Sequence, residues 1–460
     1  MKIERKRMKL LLVSPCQYEH RRLHVSLRIP QISLNIIAAL TPSYYEIKIV
    51  EEEIEVVNFD EDCDIVGIST MTANAPRAYK MAMEFKKRGK TVVIGGVHPT
   101  VLPHESIQYA DAIVIGEAED TWGILLNDFE QGKLQRFYTS HQPDASLSPL
   151  PRRELSQKSN GLFNVKPIVT TRGCPYDCDF CCVPQFFGKK LRSLPVEKVV
   201  EDVIASKGKI FLFLDDNIIG HPKYAKELFK ALIPLKIKWV GQASVSFVKD
   251  TELMKLAAQS GCAELFFGLE SVSTSTLKKM RKSINELTDN EEAIKKVKGF
   301  GIVFHASMVF GFDEDGRSIF DETLEFLMRN KIASVTFNIL TPYPGTRIYD
   351  RFKKEGRLIT EEWQYYDHNT VVFRPKNMTT QELLEGHLYT RKQFYKISSI
   401  VKRLSHGSPH PLLYIAMNFG YRKSIKEDTK NLQNETTRLR LIENIPDIQC
   451  DLAVCNKSNI

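Results

Sequence analysis

The sequence predicts an α/β protein in three parts: an N-terminal Rossmann-like parallel sheet, a central partial (β/α)6 barrel and a helical C-terminal extension. Three observations predict it. Short apolar runs alternate with helical patterns across residues 9–129, as an open parallel sheet requires. The alternation resumes with a new rhythm across residues 165–354 and makes six strand–helix repeats. Between the two, residues 139–164 are polar and broken by Pro143, Pro149, Pro151 and the stretch Ser156 to Gly161, which reads as a linker. The expected divisions are residues 1–142, a linker at 143–164, a core at 165–375 and an extension at 376–460.

In the first part the expected strands are Lys9–Pro15, Tyr45–Val50, Asp64–Thr70, Thr91–Ile94 and Ala112–Ile115, with residues 16–30 as a loop. Ser33–Leu40, Arg77–Arg88 and Thr121–Phe129 carry helical patterns. Ligands of such sheets bind beyond the carboxyl ends of the strands. Those ends are Ser14, Ser69-Thr70, Gly95-Gly96 and Gly116-Glu117, small and polar enough for a flat ligand to approach the backbone. No G-x-G-x-x-G follows the first strand, so a dinucleotide is not expected.

In the core the expected strands are Val165–Thr171, Ile210–Leu214, Ile237–Gln242, Glu264–Leu269, Val303–Val309 and Ser334–Leu340. The helical patterns between them fall at Val196–Ser206, Tyr224–Ile233, Thr251–Ser260, a pair across 274–298, Ile319–Asn330 and from Pro344 to Lys354. Parallel barrels gather their sites at the carboxyl ends of the strands. The polar groups there are Asp215-Asp216-Asn217, Gln242 with Ser244 and Ser246, Glu270-Ser271, Gly311 with Asp313, and Thr341 to Thr346. Each alone also serves as a helix N-cap; their recurrence at successive strand ends favours a site.

The first core strand runs into Arg172-Gly173-Cys174-Pro175-Tyr176-Asp177-Cys178-Asp179-Phe180-Cys181-Cys182. Cys174, Cys178 and Cys181 can converge on one point, and thiolates suit iron–sulfur clusters or zinc. A structural zinc site needs a fourth ligand, and the Cys182 side chain is expected to diverge. Three ligands on a four-iron cluster leave one iron open to a small molecule.

The C-x3-C-x2-C spacing resembles the motif of the radical S-adenosylmethionine (SAM) superfamily. The resemblance implies a [4Fe-4S] cluster held by Cys174, Cys178 and Cys181, and SAM cleavage to a 5′-deoxyadenosyl radical that attacks an unactivated carbon. It places Asp215, Asp216 and Asn217 at the second-strand SAM motif and Glu270 near the SAM ribose. Phe310 and Gly311, within Met308 to Phe312, fall near the adenine, Phe180 packs on it, and Arg192 is a weaker contact. No general base is nominated. The segments Val66–Thr70, Gly95–Thr100 and Ile115–Glu117 resemble the cobalamin-binding domain that precedes many radical SAM cores. That resemblance implies cobalamin contacts from Ser14, Ser69, Thr70, Gly95, Gly96, His98, Gly116 and Glu117. No histidine has Asp two residues before it, so the D-x-H-x-x-G motif is absent. The resemblance is to the subgroup without a protein histidine on cobalt, and His98 is expected as a loop contact or structural residue.

Thr379–Phe394 reads as a helix with Thr379 to Glu382 capping its start, continued by Ser398–Leu404 and broken at His406-Gly407-Ser408-Pro409. Leu412–Tyr421 is apolar: packing against the barrel is one reading, a surface for an apolar or lipid-like substrate the other. Cys450 and Cys455 read as bystanders. Arg374-Pro375, Met378, Leu383-Leu384, Gly386, Arg391 to Tyr395 and Arg403 resemble the extension of a group that includes the hopanoid C-2 methylases.

Composition sets the remaining bounds. At 460 residues there is room for two to four domains, and 43% hydrophobic with 26% charged residues is ordinary for a globular protein. The net charge of +8 is spread along the chain, too diffuse to argue for nucleic acid, and no nucleic-acid partner is expected. Nine cysteines without a pairing framework argue for a cytoplasmic, reducing compartment. The basic start, Lys2 to Lys9, leads into an apolar run too short for a signal peptide, and no run reaches the roughly 18 residues of a membrane span. Peripheral membrane contact stays open. The whole predicts a cobalamin-dependent radical SAM enzyme methylating a carbon of a small molecule, fed by an external electron donor. A ring-forming cyclase with the same domains is the first alternative, and a non-catalytic cobalamin or iron–sulfur sensor the second.

Overall fold

The structure, a computed structural model, describes residues 7–17, 30–156, 165–280, 290–404, 411–412 and 414–425. The loop expected at 16–30 beyond Gln17, the linker stretch after Ser156, the break at 406–409 and the two distal cysteines lie outside the described residues. So do positions 281–289, within the expected helix pair.

The first part is a six-stranded parallel sheet: β1 (Met8–Ser14), β2 (Tyr45–Glu51), β3 (Ile65–Ser69), β4 (Thr91–Gly95), β5 (Ala112–Ile115) and β6 (Phe137–Thr139), in the order β2-β1-β3-β4-β5-β6. Its strands read as unbroken apolar runs because both faces are covered. Leu10, Leu12, Val93 and Val114 pack under the helices Ile32–Leu40 and Trp122–Glu130. Leu11, Val13, Val66, Ile68 and Val92 pack under the helix Ala75–Lys87. The strand order reverses between β1 and β3, and the crevice at such a switch point is where α/β sheets bind ligands. Two features went unread. Strand β6, three residues long, is too short to show a period. The segment after Gly96, read as a loop, forms the short helices Val97–Val101 and Pro103–Ser106.

The second part holds β7 (Val165–Ile168), an antiparallel pair β8 (Thr171–Arg172) and β9 (Arg192–Ser193), then β10 (Ile210–Phe213), β11 (Lys238–Ala243), β12 (Cys262–Glu270), β13 (Val303–Phe310) and β14 (Ser334–Ile339). Six strands form one parallel sheet in the order β14-β13-β12-β11-β10-β7, and its two end strands do not pair. This is an open, partial barrel. Phe211, Phe213, Trp239 and Phe267 point out to the helices and are fully buried, at about 1.5–3 kcal/mol for a side chain of this kind. The alternate positions Leu212, Val240, Gln242, Phe266, Thr336 and Asn338 are less buried. Period two therefore gives the sheet a packed convex face and a hollow concave one.

The extension closes the free edge at β14. Its helix Thr380–Phe394 starts at the expected capping box: the Glu382 N–H donates to Thr379 Oγ1 at 3.1 Å, and the Thr379 N–H to Glu382 Oε2 at 2.8 Å. Gly386 lies against the Phe320 ring with no room for a Cβ. Gly386→Ala is expected to destabilise the protein by about 1–3 kcal/mol through overpacking, read by urea denaturation. The helix ends at Tyr395, and Ile397–Leu404 is a separate helix. The Tyr395 hydroxyl accepts from the Val335 N–H at 3.0 Å and donates to the Val335 carbonyl at 2.6 Å, satisfying the edge strand. Residues 414–425 are helical and two-sided: Tyr414, Asn418 and Ile425 pack inward, while Leu412, just ahead of them, Ile415 and Phe419 are exposed. No helix among the described residues is long and apolar enough to cross a membrane.

Candidate functional site

The cysteine loop leaves the sheet at β7 and is fastened from three sides. Asp215, at the end of β10, is 1% exposed. Its Oδ1 accepts from the Thr170 N–H at 3.1 Å, Thr170 Oγ1 at 2.8 Å, Thr171 Oγ1 at 2.7 Å and the Thr171 N–H. Burial raises its carboxyl pKa against the pull of these four donors. Arg347, which opens the helix after β14, donates to Asp179 Oδ1 at 2.8 Å, to Asp177 Oδ2 at 3.0 Å and to the Asp177 carbonyl. Gly173 has φ +89°, and a Cβ there would stand 2.8 Å from the Lys190 carbonyl oxygen, so only glycine fits. Asp215→Ala is expected to cost about 2–3 kcal/mol and to lower the yield of assembled cluster, measured by denaturation and by iron and sulfide content.

From Cys174 to Phe187 the loop is half-buried apart from Pro175 and Gln185, the profile of a segment that lines a hollow. Burial pushes the Cys181 thiol up, and the thiols of Cys182, Cys178 and Cys174 add to the rise, so these sulfurs share one neighbourhood. No three His, Cys, Asp or Glu side chains among the described residues stand close enough to hold a single metal ion. A four-iron cube spreads its three thiolates wider than one ion does. Three thiols match the three-cysteine ligation of an iron–sulfur cluster, whereas a closed structural zinc site takes four ligands.

The SAM candidates separate into two sets. Asp216 is half-buried, and burial followed by the Asp215 charge pushes its carboxyl up to about 7. It lies within electrostatic reach of Cys182. Glu270 ends β12 with φ +67°, a left-handed conformation that costs a non-glycine residue about 1–3 kcal/mol and is commonest at functional sites. Phe180 sets its ring edge-on to Phe312 at 6.0 Å between centroids. Asp216 and Phe180 are half-buried, and Glu270 is 7% exposed at the end of its strand. Asp215 is committed to Thr170 and Thr171. Asn217 binds β11, its Oδ1 accepting from the Ser244 N–H at 3.1 Å. Phe310 is corrected outright: it packs among Phe320, Phe337 and His387 on the convex face, because the strand period turns it away from the hollow. Gly311 is buried against Leu383 and Phe373, so its missing Cβ serves packing.

The cobalamin candidates separate likewise. Ser14, Ser69, Gly95 and Gly116 are half-buried in a row along the carboxyl edge of β1, β3, β4 and β5. Small residues there, flanking the switch point, fit a large flat cofactor. Thr70 is buried, and Gly96, at φ +110°, lies on its backbone with no room for a Cβ. His98 takes the structural of its two expected roles and not that of a cobalamin contact: it is 0% exposed, its Nε2 lies 3.2 Å from Glu105 Oε1, and its ring meets Trp363 of the core at 5.4 Å. The Trp363 indole N–H donates to the same Glu105 oxygen at 2.9 Å. His98 thus belongs to the junction of the two parts.

Glu117 is corrected for the same reason. It receives Arg172 Nη1 at 2.5 Å and both terminal nitrogens of Arg192, and Arg172 Nη2 reaches Glu119 Oε1 at 2.5 Å. These side chains are between 3% and 9% exposed. Burial opposes ionisation of Glu119, and Arg172 nonetheless holds its carboxyl below the usual range. Arg172 directly precedes the cysteine loop, and Glu117 directly follows the end of β5. One buried ion cluster therefore ties the edge of the first sheet to the cysteine loop. Arg192 is part of it and not a SAM contact. Glu119 and Arg347 were missed because their partners lie 53 and 170 residues away.

A further group was missed. Protein crowds His368 and Tyr343 on most sides, yet His368 is exposed and Tyr343 half-exposed, so both line the hollow. His368 is within electrostatic reach of Glu270, and Tyr343 of Cys182.

A two-sheet fold of this kind, with a three-thiol loop on its barrel, defines a cobalamin-binding radical SAM enzyme. Residues 168–327 match the radical SAM superfamily, and residues 22–126 match the B12 binding domain. The chain is 31% identical over 419 residues to the bacteriochlorophyllide d C-12(1)-methyltransferase of Chlorobaculum tepidum, covering 88% of this chain and 91% of that protein. It is 30% identical over 419 residues to the bacteriochlorophyllide d C-8(2)-methyltransferase of the same organism, covering 87% and 92%. It also shares its fold with the radical SAM methyltransferase TsrM from Kitasatospora setae with cobalamin and [4Fe-4S] cluster bound, at a TM-score of 0.67 and 14% identity over 92% of this chain and all of that one. The chain belongs to the radical SAM superfamily, among its members with a B12 binding domain. Its cofactors are a [4Fe-4S] cluster, SAM and cobalamin.

Proposed function

We propose that this enzyme transfers a methyl group to an unactivated carbon of a small molecule. The observation that carries the reading is the buried Arg172–Glu117–Arg192–Glu119 cluster, which couples the cobalamin-domain edge to the cysteine loop. The two methyltransferases it resembles over nearly their full length support the same reading. The cofactors supply the radical and the methyl group. The chain supplies position. Cys174, Cys178 and Cys181 would hold the cluster. Asp216 and Glu270 offer carboxylates to the ribose and amino group of SAM, and Phe180 a wall for its adenine. Asp215, Arg347 and Gly173 hold the loop in one shape, so that none of this reorganises during the reaction. The test is anaerobic reconstitution, one-electron reduction and incubation with methyl-labelled SAM in a cell extract. Label in a product together with 5′-deoxyadenosine is the expected result. Deoxyadenosine without transferred label identifies ring-forming or other radical chemistry, and neither identifies a sensor.

A further inference from the structure

The hollow contains one hydrogen-bonding group whose orientation follows from its neighbours. Tyr343 has a single hydroxyl proton. The Tyr366 carbonyl oxygen, 2.9 Å away, can only accept, so the proton points there. The Tyr343 oxygen must then accept from His368, whose Nε2 lies 3.1 Å away. The imidazole therefore carries its proton on Nε2 and a lone pair on Nδ1. Burial holds the His368 pKa below the ordinary histidine range, against the opposing charges of Asp367 and Glu270, so the ring is neutral near pH 7. Among the described residues no donor reaches Nδ1.

The backbone is shaped around this ring. His368 has φ +66°, a left-handed conformation uncommon for residues with a side chain, which histidine adopts more readily than most. It is held there by its own carbonyl, which accepts from the Ile339 N–H at 2.7 Å at the end of β14. Glu270, within electrostatic reach of the ring, is left-handed too. Two such residues beside one another fit a backbone shaped around a ligand. The charged groups within reach of the ring are both acceptors: Glu270 is a carboxylate, and the Asp367 carboxylate already caps its own turn at Asn369 and Thr370. The missing partner is a donor.

Resting on the methyl-transfer reading, we propose that His368 is a substrate anchor. Its Nδ1 accepts a hydrogen bond from an N–H or O–H group of the molecule bound in the hollow, and this fixes which carbon faces the radical. Tyr343 is a positioning residue that sets the tautomer.

Three variants separate anchoring from backbone strain. His368→Gly removes the ring and relieves the left-handed strain. His368→Asn tolerates the same backbone and keeps an acceptor close to Nδ1. Tyr343→Phe frees the tautomer. The reconstituted full-length proteins are reduced and given methyl-labelled SAM in cell extract, and the ratio of label in product to 5′-deoxyadenosine is measured. His368→Gly is expected to lower the ratio about tenfold or more, with His368→Asn within about threefold of wild type and Tyr343→Phe between them. A wild-type ratio in His368→Gly overturns the anchor while leaving the methyl-transfer reading intact. Absence of labelled product from the wild type removes that reading and the anchor with it. The tautomer is checked without substrate by 15N NMR of histidine-labelled protein, with His368→Asn assigning the signal. A proton found on Nδ1 overturns the proposal.

Discussion

Replacing Cys174, Cys178 and Cys181 together by alanine is expected to abolish iron–sulfur absorbance and SAM cleavage, while cobalamin still binds. The loop contributes three thiols to one half-buried neighbourhood, and a cluster cannot be retained once they are gone. The first sheet has its own core, built from its own strands and helices, so its cofactor site does not depend on those sulfurs. Cys182→Ala is the control, and its cluster content should match the wild type. Iron, sulfide and cobalamin measured on the same reconstituted samples decide the matter, and SAM cleavage by the triple variant would sink the assignment of all three ligands.

Arg172→Ala should produce the largest loss of stability. It leaves Glu117 with Arg192 alone and Glu119 without its arginine, at side-chain exposures of 3% and 4%. Removing one partner of a buried ion pair typically costs about 3–5 kcal/mol, because the remaining charge stays desolvated. The loss falls on the junction, so calorimetry should show the two sheets melting in separate transitions where the wild type melts closer to one. Cluster content should fall as well, since Arg172 is the residue before Gly173 and pins the loop entrance. An unchanged melting profile would show that the cluster contributes nothing to coupling, and the reading that depends on it would lose its support.

Much of this was legible in the chain. Strands of a covered parallel sheet are continuous apolar runs, so their positions came within a residue or two, save the first core strand, which ends at Ile168 and not at Thr171. The three-cysteine spacing and the capping box from Thr379 to Glu382 are local patterns, complete within a few residues, and they implied what the structure displays nearby. The departures have one kind of cause. Phe310 was placed near the adenine on position along its strand, but which face it takes depends on the neighbouring strands and helices. Glu117 and His98 lie at strand and turn positions that suit a ligand, yet each is occupied by a partner from the other half of the molecule. Asp215 looks like a free strand-end carboxylate until the chain 44 residues earlier folds beside it and uses one of its oxygens four times. His368 carries no motif, and only the hollow, the left-handed backbone and the Tyr343–Tyr366 hydrogen bond give it significance.

The class of fold and the set of cofactors could be read from the chain alone, because each is written in local periodicity or short spacing. The tertiary structure alone decided which strand-end residues face the hollow, which are spent on holding the two halves together, and where a neutral histidine presents its lone pair. Ion pairs, buried hydrogen bonds and side-chain direction are agreements between segments far apart in the chain, and they exist only once those segments have packed.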